Sequence, residues 1–259
     1  MKIICKMQGG SHSYGLNTPS SDIDIRGVFL NDQVSQTVGL DRFEHLDNRA
    51  NGDDVFYFEL RHYLNLLHKG NTQALEMLFN HCWIEVDPLF EVVQRRRNSL
   101  IDPDKLFHSL RGYMQSERRL ANGERTGVLG SKRKAQLDLY GFSPKNFVQL
   151  LRLAYCGATF FRTGEFPVNI VTYDQSFGCQ LMDIKTQPQG YTKARLNEMV
   201  DELEATLVAS YEVNKSTINE AYRFNSIIAN ELLLELYGPI IYDQYQALAE
   251  KRMQSLAPV

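Results

Sequence analysis

The stretch Gly9-Gly10-Ser11-His12-Ser13-Tyr14-Gly15-Leu16-Asn17-Thr18-Pro19-Ser20-Ser21-Asp22-Ile23-Asp24-Ile25-Arg26-Gly27 decides how the rest of the chain is read. Ile3 to Met7, just upstream, has the pattern of a short strand, so Gly10-Ser11 follows a strand end. Glycine lets the backbone approach a ligand closely. A helix starting at Ser11 would aim its free N–H groups at an anion. Thr18-Pro19-Ser20-Ser21 is a turn signal, and Asp22 to Leu30 reads as a second strand. Asp22 and Asp24, two apart at that strand's start, would face one side. Carboxylates so placed repel unless a cation lies between them. Paired oxygen donors suit Mg²⁺, which is held by one or two carboxylates plus substrate phosphates. Taken singly, the acids are also compatible with a turn cap and a solvated strand residue. A phosphate cradle and a metal holder with ten residues between Ser11 and Asp22 together describe a nucleoside triphosphate site.

Outward from this stretch, residues 31–53 are polar and read as loop, and Val55 to Leu60 is a third strand, β-branched and aromatic. Helices follow. Asp87-Pro88, Asp102-Pro103 and Ser143-Pro144 each place a capping oxygen before a proline at the first helical position. Apolar spacing predicts helices over 193–213 and from Ser216 to Tyr237, the latter closed by Gly238-Pro239. Residues 165–192 read as an extended connection. The expected fold class is α+β: a small mixed sheet with flanking helices over 1–87, then an α-helical domain over 88–259 that contributes basic residues to a cleft.

With 259 residues, 43% hydrophobic and 23% charged, collagen-like, coiled-coil and wholly disordered chains are excluded. No apolar run approaches the ~18 residues of a membrane span, so no membrane partner is expected. The N-terminal apolar stretch is too short for a signal peptide. Cys5, Cys82, Cys156 and Cys179 lie far apart, and a reducing cytoplasm is the expected location. No HxH or HExxH arrangement supports a zinc hydrolase. The net charge of −3 hides an asymmetry: residues 90–165 carry 14 Lys and Arg against 7 Asp and Glu. A clustered basic face suits phosphate-rich ligands, and solvated helix faces give the same pattern.

The words GSHSYGLNTPSSDIDIRGVF, the strand leading into Leu60-Arg61-His62-Tyr63-Leu64, and Gly70-Asn71-Thr72-Gln73-Ala74-Leu75-Glu76-Met77-Leu78 share one resemblance. So does Tyr140-Gly141-Phe142-Ser143-Pro144-Lys145 with Leu150-Leu151-Arg152-Leu153. Over roughly residues 7–165 the chain resembles the nucleotidyltransferases of the DNA polymerase β-like superfamily grouped with RNA-ligase-associated proteins. Two positions depart from that family: Thr72 stands where proline is frequent, and Gln149 where histidine is. The second removes an acid–base side chain from its helix.

The resemblance implies an enzyme performing two-metal nucleotidyl transfer: an NMP moves from an NTP to a hydroxyl, an RNA 3′ end above all, and pyrophosphate leaves. Asp22 and Asp24 would hold Mg²⁺ or Mn²⁺, and a third carboxylate would complete the set. Glu59 is the expected third acid, since it closes a strand before a helix; Asp54 is the runner-up, and Glu76 reads as helical. Gly10, Ser11 and His12 would meet the phosphates. Arg26 would bind triphosphate or neutralise an acid. Lys145 and Arg152, seven apart on one helical face, would make two phosphate contacts. The implied partners are a nucleoside triphosphate and an RNA acceptor. A protein or small-molecule acceptor, or a non-catalytic RNA-binding module, is the alternative. Oligomeric state is left open by the sequence.

Overall fold

In the computed structural model, residues 1–38, 43–47, 54–124 and 131–256 are described. Five strands form one sheet in the order β3-β4-β2-β1-β5. Strand β1 (Lys2–Gln8) buries Ile4, Cys5 and Met7 and pairs antiparallel with β2 (Asp24–Leu30). Strand β4 (Asp54–Glu59) runs parallel to β2, with Asp24 opposite Asp54 and Phe29 opposite Glu59. The edges are β3 (His45–Asp47), antiparallel to β4, and β5 (Glu85–Val86), antiparallel to β1. The short helices α1 (Gly10–Ser13) and α2 (Val34–Thr37) follow β1 and β2.

Side-chain caps fix most helix starts. Glu59 caps α3 (Leu60–His68), Asn71 caps α4 (Thr72–Leu78), Asp87 caps α5 (Pro88–Arg95) and Asp102 caps α6 (Pro103–Ala121). After α7 (Ser131–Tyr140), helix α8 (Pro144–Thr163) buries 15 of its 20 residues and packs against α6 and two later helices, Gln175–Thr186 and Lys193–Ala221. It ends at left-handed Gly164. Its expected Ser143 cap is not made; the Ser143 hydroxyl donates to Asn146 instead.

The expected connection over 165–192 holds two helices, α9 (Ile170–Tyr173) and α10 (Gln175–Thr186), started by the side chains of Asn169 and Asp174. Helix α10 buries Gly178, Leu181 and Ile184 at three-residue spacing, and the glycine conceals that stripe from a reading by hydrophobicity. Helix α11 (Lys193–Ala221) runs past 213 unbroken, and the chain turns at Tyr222 to Asn225 instead. Helix α12 (Ser226–Leu256) continues through Gly238-Pro239. Proline costs a helix one hydrogen bond and a clash with the carbonyl four residues earlier. Here Pro239 and Glu235 are both exposed, so water can reach that turn.

One continuous apolar core runs from Ile4 of the sheet through α8 to Leu232 and Tyr237 of α12. Among the described residues, no helix is long and apolar enough to cross a membrane.

Candidate active site

Parallel pairing of β2 with β4 puts two aspartates side by side at the strand starts. Asp24 and Asp54 are register partners, and the charge of Asp54 acts on the Asp24 carboxyl. Arg26, two residues along β2, reaches back over the same face. Its Nη1 and Nη2 lie 3.3 Å from the two Asp54 carboxylate oxygens, and Nη2 lies 3.9 Å from Asp24 Oδ1. The Asp24 carboxyl titrates above the ordinary aspartate range. Burial is the main cause, Asp54 adds to it, and Arg26 and Lys145 act against it.

The turn after β1 is built onto this pair. The Gly9 N–H donates to the Asp24 carbonyl at 2.8 Å. Gly10 has φ +57°, and a Cβ placed there would sit 2.1 Å from Asp24 Oδ2. A side chain at residue 10 would therefore fill the space in front of the carboxylate. Ser11 and His12 lie in the first turn of α1, whose leading N–H groups have no acceptor within a helix. His12 Nε2 is buried and makes no hydrogen bond among the described residues.

Asp22 departs from expectation. β2 begins at Asp24, so Asp22 is exposed in the preceding loop and is not the first residue of the strand. The same-face argument holds instead for Asp24 and Arg26 along the strand and for Asp24 and Asp54 across it.

Glu59 is not brought to this pair. It stands at the opposite end of β4, across from Phe29, and is buried. Its carboxylate accepts from the backbone N–H groups of Arg61 and His62 at 3.0 and 2.9 Å and from the Tyr237 hydroxyl. It closes a strand before a helix, as read from the sequence, but in the role of a cap. The acid at the Asp24 end of β4 is Asp54.

Lys145 and Arg152 also part company. Lys145 is exposed in the first turn of α8, with its charge felt at Asp24. Arg152 is fully buried two turns on, 2.6 Å from Glu76 Oε1, with its guanidinium 3.5 Å from the centre of the Tyr14 ring. It is enclosed by protein. Gln149, the position that departs from the family, accepts from Arg152 Nε and Nη2. Thr72 is the first residue of α4, behind the Asn71 cap, so the missing proline costs that helix start nothing visible.

Among the described residues, no group of three His, Cys, Asp or Glu side chains is arranged to hold a metal ion. The adjacent carboxylates here are Asp24 and Asp54. An oxygen-only pair beside an open glycine turn fits Mg²⁺, which takes one or two carboxylates and completes its shell with phosphates and water.

A family model described as the RNA repair pathway DNA polymerase beta family matches residues 1–167. The chain belongs to that family. The matched span ends within the loop after α8, and so covers the sheet, the Gly-Ser turn, Asp24, Asp54 and Lys145. The chain is also 24% identical over 152 residues to an uncharacterised 38.9 kDa protein in the nrdC-mobD intergenic region of enterobacteria phage T4. That match covers 54% of this chain and 43% of the phage protein, so the chain spans less than half the length of this relative.

Proposed function

We propose that this family member is a nucleotidyltransferase that moves a nucleoside monophosphate from an NTP onto a hydroxyl, with an RNA 3′ end as acceptor. The observation that carries the reading is the in-register pairing of Asp24 with Asp54 beside a glycine turn that leaves the Asp24 carboxylate open. The family's place in RNA repair supports the acceptor.

Asp24 and Asp54 would hold Mg²⁺ or Mn²⁺, with Asp22 next to them in the loop. When bound, the metal would neutralise phosphate charge and align the in-line displacement. The chain's own residues do the rest. The Gly10-Ser11 turn and His12 orient the triphosphate, and Lys145 reaches it from α8. Asp54 accepts the proton of the attacking hydroxyl. That oxygen bonds to the α-phosphorus, the bond to the β-phosphate oxygen breaks, and pyrophosphate leaves with its electron pair. Arg26 holds Asp54 through both carboxylate oxygens.

A label-transfer assay tests this. α-Phosphate-labelled ATP, CTP, GTP and UTP are offered with Mg²⁺ or Mn²⁺, a mixed RNA pool and the protein itself as acceptors. Label on RNA, lost in folded Asp24→Asn and Asp54→Asn, is the expected result; undiminished transfer in either variant sinks the assignment. The Arg26–Asp54 ion pair favours a second reading, a binding module whose acids are permanently neutralised. That reading predicts salt-sensitive RNA binding with no label transferred.

A further inference from the structure

We propose that the outer face of α12 is a dimerisation surface that takes the same helix of a second copy of this chain, antiparallel to the first. Ile227, Leu234, Ile241 and Leu248 recur at seven-residue intervals along α12. That is the repeat by which two helices pair along a continuous seam. A helix closed at Gly238-Pro239, as the sequence alone suggests, holds only the first half of it. Ala229, Leu232, Leu236 and Tyr237, on the other side of the helix, are buried in the core. On the seam, Ile227 is 67% exposed, Leu234 70%, Tyr245 66% and Leu248 51%. A helix that is apolar all round is one that is buried all round.

The far half of α12 stands away from the body. From Tyr242 to Arg252, nine of eleven residues are exposed. A helical segment of this length is marginal in water and draws its stability from packing an apolar face. Leu234, Ile241, Tyr242, Tyr245 and Leu248 of one copy offer roughly 500 Å² of exposed apolar side chain. A pair buries about 1,000 Å², the area that a specific interface has to clear.

Charge selects both the orientation and the occupant. Helix α12 carries Glu231 and Glu235 in its first half and Lys251 and Arg252 near its end. Glu235 is held by Arg96 at 2.6 Å, which leaves Glu231 as the acid beside the seam. A parallel pair sets like charges together, whereas an antiparallel pair sets acid against base. With the two-fold axis at Ile241, that residue meets its own copy and Leu234 meets Leu248 of the second copy. Tyr245 then crosses Gly238, which has no side chain to hold the helices apart, and Glu231 meets Arg252. One patch complementary to itself is what a two-fold dimer requires, so the occupant is a second copy and not an unlike protein. Tyr237, on the buried side, bonds Glu59 at the end of β4 away from Asp54, so the pairing leaves both candidate active sites open.

The test is sedimentation equilibrium of the full chain from about 1 to 100 µM, beside Leu234→Asp, Glu231→Arg, Arg252→Glu and the double charge variant. The expected result is a species of twice the 29.8 kDa chain mass, with a dissociation constant of about 10 µM. Leu234→Asp changes an exposed position and is expected to be a monomer that still unfolds cooperatively. In low salt each single charge reversal is expected to weaken the dimer about tenfold, and the double variant to restore it. A chain that stays monomeric over the whole range overturns the proposal. So does a dimer that survives Leu234→Asp, because it then uses another face. Charge reversals that add in the double variant, without restoring the dimer, overturn the antiparallel order.

Discussion

The Arg152 guanidinium is held between the Tyr14 ring, 3.5 Å from its centre, and Glu76 Oε1 at 2.6 Å. The triad closes on itself, because the Tyr14 hydroxyl donates to Glu76 Oε2 at 2.9 Å. Tyr14 stands directly after α1, Glu76 is on α4 and Arg152 is on α8, so three parts of the fold meet in one buried contact. Burial opposes the arginine's charge, but Tyr14 and Glu76 outweigh it and raise its pKa. The contact fixes where the loop behind the Gly-Ser turn sits relative to the central helix.

That contact should be sensitive to removal of either charge. Breaking a buried pair strands its partner, at about 3–5 kcal/mol. Glu76→Gln and Arg152→Met are each expected to lose that much in urea denaturation, while Tyr14→Phe loses about 1 kcal/mol with its hydroxyl. The double variant Glu76→Gln/Arg152→Met should be more stable than the sum of the two losses allows. Additive losses would show that the two charges do not interact.

Gly10 and Gly141 separate backbone strain from site occupancy. Both have positive φ, +57° and +75°, but a Cβ meets Asp24 Oδ2 at residue 10 and open space at residue 141. Alanine at either costs about 1–2 kcal/mol of left-handed strain. Only Gly10→Ala should also lose label transfer and Mn²⁺ binding, since its methyl displaces the carboxylate. Equal transfer in the two variants would count against a role for the open turn.

Much of the architecture was legible because it is written in local chemistry. Asp87-Pro88 and Asp102-Pro103 start helices as read, and the strands of 3–7, 22–30 and 55–60 appear within two residues. What escaped depends on pairing and packing. The Asp24–Asp54 partnership needs the parallel register of β2 with β4, which no local pattern encodes. Glu59 and Asp54 bound the same strand, and only that register says which end faces the turn. Arg152 and Lys145 share a helix face by spacing, yet α8 is enclosed at one end and open at the other, so seven residues separate a core contact from an exposed cation. The basic run Lys132-Arg133-Lys134 falls within α7, and residues 125–130 before it lie outside the described residues.

Asp54 and Glu59 make opposite predictions. Asp54→Asn should fold with near-normal stability and lose transfer by at least about a hundredfold, the upper end of what an outer-shell change causes at a metal site. Glu59→Ala should retain transfer per folded molecule. It loses the α3 cap and leaves the Tyr237 hydroxyl without its acceptor, at about 2 kcal/mol. The two are separated by measuring turnover and denaturation midpoint on one set of preparations. Full activity in Asp54→Asn with its loss in stable Glu59→Ala would reverse the assignment.

Acid should act on the start of α10. Asp174 caps α10, accepting from the Phe177 N–H at 3.0 Å and the Tyr155 hydroxyl at 2.9 Å. Those two bonds, the backbone one first, hold its carboxyl below the usual aspartate range. A depressed folded-state pKa contributes stability above the unfolded value, near 3.9, and loses it as pH falls through the folded value. Asp174→Ala should therefore cost about 1 kcal/mol at pH 7, the ordinary worth of such a cap. The gap between variant and wild type should narrow as both are titrated below pH ~4. Thermal unfolding at neutral and acid pH measures it, and a gap of constant size would mean that the carboxylate's charge plays no part in holding α10.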